Sequence, residues 1–70
     1  MALVWKREGR HIVDGLPFVV ELASVEGGYR VRIQFDGRPH IECGRVWKTR
    51  EEAMGRACQL ADEAIAATLH

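Results

Sequence analysis

Between two glycine-bearing turns, the chain reads Tyr29-Arg30-Val31-Arg32-Ile33-Gln34-Phe35, apolar and polar in strict alternation. Successive side chains on a strand point to opposite faces. Tyr29, Val31, Ile33 and Phe35 therefore share one face, and Arg30, Arg32 and Gln34 share the other. A strand with one oily and one charged face belongs to an antiparallel sheet that is covered on one side and open on the other. This requirement limits what the rest of the chain can be.

The flanking segments follow from it. Glu26-Gly27-Gly28 separates this strand from one over 18–25, and Asp36-Gly37-Arg38-Pro39 separates it from one over 40–47; glycine supplies the positive φ that hairpin turns need. Further upstream, residues 3–7 and 11–13 flank Glu8-Gly9-Arg10 and are expected to form another short hairpin. Asp14-Gly15-Leu16-Pro17 then turns the chain into the main sheet.

The cover is at the other end. Thr49-Arg50-Glu51-Glu52 is a capping box, with two carboxylates at the positive end of a helix dipole. Met54, Ala57, Cys58, Ala61, Ile65 and Thr68 or Leu69 then recur at three- and four-residue spacing, so a helix is expected over about 50–69. Ala53, Leu60, Ala64 and Ala67 form a second strip of small apolar residues beside that stripe. The expected fold is α+β: one domain over 1–70, a three- or four-stranded antiparallel β-meander with one C-terminal α-helix packed on one face. Its expected core is Val20, Leu22, Tyr29, Val31, Ile33, Phe35, Ile41, Met54, Cys58, Ala61 and Ile65.

Seventy residues make one thin core, so a disulfide, a metal or a partner chain is worth looking for. The N-terminus has no apolar run of signal-peptide length and no stretch is long enough to span a membrane, which makes the cytoplasm the expected compartment and reduced thiols the expected state of Cys43 and Cys58. A Cys43–Cys58 bridge is the alternative. Both thiols are expected to be buried and unreactive, with any pKa shift upward.

No catalytic constellation or cofactor motif is legible. The histidines, His11, His40 and His70, are scattered, and the lone serine, Ser24, ends a strand. His40 and Cys43 stand three apart on a strand and so face opposite ways, while Cys43, Cys58 and His70 lack metal-ligand spacing. The glycines mark hairpins rather than a phosphate-cradling loop. The expectation is a non-catalytic chain with no metal, no cofactor, no membrane contact and no small-molecule substrate.

The net charge is zero but segregated. Residues 28–50 carry Arg30, Arg32, Arg38, Arg45, Lys48 and Arg50 against Asp36 and Glu42, a net of +4, while residues 51–70 carry a net of −3. The open face is read as Arg30, Arg32 and Gln34 beside His40, Glu42 and, past a bulge at Gly44, Arg45 and Trp47. Val19, Glu21 and Ala23 continue it on the neighbouring strand. The candidate binding surface is thus Arg30, Arg32, Gln34, Arg45, Trp47 and Lys48. A protein partner or a second copy of the chain, taken on the open sheet face or on the helix, is the first reading; DNA or RNA on the arginine-bearing face is the alternative, with Glu21 and Glu42 diluting the charge.

The segment Gly28-Tyr29-Arg30-Val31-Arg32-Ile33, with Gly44-Arg45-Val46-Trp47-Lys48-Thr49-Arg50-Glu51-Glu52-Ala53, resembles the strand-to-helix junction of two DNA-binding families. These are the plant ethylene-response domain and the arm-type-site domain of tyrosine recombinases. The resemblance, over about residues 28–61, implies a three-stranded sheet laid in the DNA major groove, with Arg30, Arg32, Arg45 and Trp47 facing DNA. At Gly44, Thr49, Glu52 and Ala53 the junction is also similar to the HicB antitoxin domain, and to small bacterial proteins with a G-x-x-[FW]-x-T-x-E-E-A junction.

Overall fold

The computed structural model describes residues 3–68. Four strands, β1 (Trp5–Val13), β2 (Leu16–Val25), β3 (Gly28–Phe35) and β4 (Ile41–Trp47), pair antiparallel in the order β1-β2-β3-β4, and α1 (Arg50–Thr68) lies across one face. The fold is the expected α+β meander with four strands.

The first turn shows why the sequence closes there. Val13 pairs with Leu16, leaving Asp14 and Gly15 as a two-residue loop with φ of 49° and 77°. Two successive positive φ values define the hairpin turn whose twist matches the flanking strands, and Asp-Gly is a preferred dipeptide for it. The hairpin expected at residues 8–10 does not form. β1 runs unbroken through that point, and the register shifts between Arg7 and Gly9. Glu8 is absorbed as a bulge, because pairing with the longer β2 gains more ladder hydrogen bonds than a local turn.

The core lies between β2, β3 and α1. Phe18, Val20 and Leu22 from β2 and Val31 and Ile33 from β3 meet Ala53, Ala57, Leu60 and Ala61 of the helix. Each buried large side chain contributes about 1.5–3 kcal/mol. Tyr29, Phe35, Ile41, Cys43, Trp47 and Met54 are half-buried around this centre. At the helix N-terminus the Glu52 amide donates to Thr49 Oγ1 at 3.1 Å, the first half of the capping box.

The helix is rotated from the expected setting. The 53–57–61 line, with Leu60 and Ile65 beside it, faces the sheet; Cys58 is exposed and Met54 only half-buried. The cause is shape: large strand side chains fill the space under the helix, and alanine lets the helix come close. Ala53 and Leu60, expected in the second apolar strip where a protein partner or a second copy could approach, are in the protein's own core. Leu69 and His70 lie outside the described residues.

Candidate functional site

The side of the sheet away from α1 carries the candidate site. Alternation places Glu21 between inward-facing Val20 and Leu22, and Arg32 between Val31 and Ile33, so both point outward. The register then aligns one residue from every strand in a transverse row. Arg7 stands opposite Glu21, Glu21 opposite Arg32, and Arg32 opposite Glu42. The row alternates in sign across the whole face.

Its centre is tightly engaged. Arg32 Nε donates to Glu21 Oε1 at 2.9 Å, and His40 Nε2 approaches the same oxygen at 3.1 Å. The Arg32 guanidinium lies 4.3 Å from the Trp5 ring centroid. The Glu21 and Arg32 side chains are 20% and 22% exposed, which sets this pair apart from ordinary surface ion pairs. Arg30 pairs with Glu42. Trp5, Ala23 and Arg30 share the next row, and Ala23 is fully buried between its two large register neighbours.

Of the six residues proposed for the surface, Arg30, Arg32 and Gln34 lie on this face, Gln34 donating to the Arg38 carbonyl at 2.9 Å. Trp47 does not. β4 takes four steps from Cys43 to Trp47 while β3 takes two from Val31 to Tyr29, so the bulge returns Trp47 to the helix side opposite Tyr29. There it packs against the core, with its indole N–H buried and, among the described residues, without an acceptor. The Arg45 guanidinium stands 5.1 Å from the Trp47 ring, and Lys48 is exposed in the link to α1. The bulge at Gly44 was expected; its effect on Trp47 is opposite to that expected, because a displacement of two residues preserves the facing of the side chain.

Trp5 and Arg7 were missing from the expected surface. Splitting β1 into a hairpin hid their register; the alternation of Trp5, Arg7 and the bulged Glu8-Gly9 was the available signal.

Cys43 also departs from expectation. It is half-buried, and desolvation alone would raise its pKa. The Arg45 backbone N–H, a hydrogen bond from Arg56 and the charges of Arg56 and Arg45 outweigh that and hold the thiol below its ordinary value. Arg56 is itself fixed by Glu63 at 3.1 Å.

At the far end a shallow groove of about 370 Å³ lies among Leu16, Pro17, Phe35, Ile41 and Ile65. Among the described residues no three metal-ligating side chains gather, and no helix is long and apolar enough to cross a membrane. No family model matches the chain, and neither a curated protein nor a solved structure matches it.

Proposed function

We propose that the domain is a non-catalytic protein-binding module that presents the open face of its sheet. The observation carrying this reading is the neutral, sign-alternating row Arg7–Glu21–Arg32–Glu42. A face built for phosphates leaves its arginines unneutralised, whereas here Arg32 and Arg30 are held by Glu21 and Glu42 on the same surface. Beside the row stand Trp5 and Val19, both half-buried. Tryptophan and arginine at the centre of a patch, with polar groups around them, are the residues that anchor protein interfaces.

The strand edges are poorer docking sites. β1 carries Lys6, Arg7, Glu8 and Arg10 and a bulge, and β4 follows Pro39 and bulges after Cys43; charges, proline and bulges all discourage addition of another strand. The helix turns Ala53, Ala57, Leu60, Ala61 and Ile65 inward and shows Glu51, Glu52, Asp62 and Glu63 outward.

The test is site-specific photo-crosslinking in cells, with the reactive group at Val19 on the open face or at Gln59 on the outer side of the helix. Discrete protein adducts from Val19, absent from Gln59, are expected. Nucleic-acid adducts at Val19, or equal labelling at the two positions, would overturn the reading.

A further inference from the structure

The row that marks the open face also specifies a partner. We infer that the partner is a second copy of this chain, packed sheet to sheet about a twofold axis that runs parallel to the strands between β2 and β3. This rests on the protein-binding reading above and goes further by fixing the occupant and its orientation.

Symmetry selects the arrangement. In a twofold interface each residue meets the residue to which the axis maps it. An axis along the strands reverses the strand order, so β1 lies over β4 of the second copy and β2 over β3. The sequence of charges across the face is plus, minus, plus, minus, from Arg7, Glu21, Arg32 and Glu42. Reversed, it is minus, plus, minus, plus. Every charge in the row therefore meets its opposite: Arg7 over Glu42 of the second copy, Glu21 over Arg32, and the reciprocal pairs. An axis along the row would instead set Arg7 on Arg7 and Glu21 on Glu21. A row of four alternating charges is thus self-complementary in one arrangement and self-repelling in the other.

Two further observations agree. Arg7 is exposed and, among the described residues, pairs with no carboxylate, so it is available to reach across. The Glu21–Arg32 pair is already about four-fifths withdrawn from water within one protomer, so covering it adds little desolvation cost. Parallel strand axes also suit the aligned packing of two sheets, about 10 Å apart.

The size of the face sets the strength. Four strands about 4.8 Å apart and roughly 25 Å long offer about 500 Å² per protomer, so two copies bury on the order of 1,000 Å², the lower limit of a specific interface. A concentration-dependent dimer follows, rather than an obligate one.

Analytical ultracentrifugation of the wild-type chain, up to about 1 mM, is expected to show a monomer–dimer equilibrium that weakens with added salt. Arg7→Glu places two acids together at each end of the row, and Glu42→Arg places two bases together. Each variant alone should dimerise at least about tenfold more weakly. Mixed in equal amounts, they should recover dimers made of one variant with the other, because all the end pairs are then opposite in sign. Circular dichroism verifies that both variants are folded. Wild-type protein that stays monomeric at the highest concentration overturns the proposal, as does a dimer indifferent to either reversal. If the chain stays monomeric but Val19 crosslinks to other proteins, the self-pairing fails and the protein-binding reading stands; if neither occurs, both fail.

Discussion

A β-carbon on Gly28 would collide with the carbonyl of Trp47. Gly28 opens β3 with φ of 149°, and the end of β4 passes directly over it. The close approach seats the end of β4 against the first residue of β3, beside the Tyr29–Trp47 pair.

Gly28→Ala should therefore be costly. Strain at a φ disfavoured by side chains adds to a clash with backbone that has no rotamer escape, and together they cost roughly 2–4 kcal/mol. Gly37, at φ 72° with open space around it, meets the strain without the clash, so Gly37→Ala should cost about 1 kcal/mol. Urea denaturation of both variants makes the comparison. Equal losses would mean the Trp47 contact is unimportant.

Ile33 is fully buried at the centre of the sheet, packed beneath the helix. Ile33→Ala removes three carbons from a core that cannot collapse easily around the gap, and should lower stability by about 2–5 kcal/mol. For a domain of this size that is a large part of the total. A chemical denaturation curve with an unchanged slope and a loss below about 1 kcal/mol would show that the core repacks.

The helix rotation gives a sharper comparison between neighbours in sequence. Ala57 is fully buried against the strands, whereas Cys58 is exposed. Ala57→Leu overfills the interface and should cost about 1–3 kcal/mol or more. Cys58→Leu should change stability by less than about 0.5 kcal/mol. Thermal melts of the two variants decide between the observed rotation and one that buries Cys58.

That pair also shows where the sequence was readable and where it was not. Alternation in β3 placed Val31 and Ile33 inside and Arg30 and Arg32 outside, because a one-residue slip would have put guanidinium groups in the core. The capping box located the start of α1 at Arg50. The stripes through Met54–Cys58 and Ala53–Ala57 overlap on the helix surface, and the choice between them depends on volume across the interface, which hydropathy along one chain does not contain. The facing of Trp47 is not legible for a related reason: Gly44 signals a bulge, but the number of residues it displaces is set by pairing with β3. The Arg7–Glu21–Arg32–Glu42 row needs three registers at once, and a hairpin within β1 would break the first of them.

Cys43 makes a contribution to stability that depends on pH. Its thiol lies beside the Arg45 amide and the guanidinium of Arg56, and the hydrogen bonds and positive charge there overcome the burial that opposes ionisation. The folded pKa lies below that of the unfolded chain, so between the two values the unfolded chain holds more protons. Stability therefore rises with pH across that window, and the contribution is lost as pH falls through the folded pKa. In a Cys58→Ser background, leaving Cys43 as the sole thiol, the pH profile of iodoacetamide alkylation should turn upward at lower pH for the folded protein than for the same chain in urea. Arg56→Gln removes a hydrogen bond and a charge, and should move the folded profile back toward the unfolded one. A folded profile that turns at or above the unfolded one would show that burial prevails over the two arginines at this site.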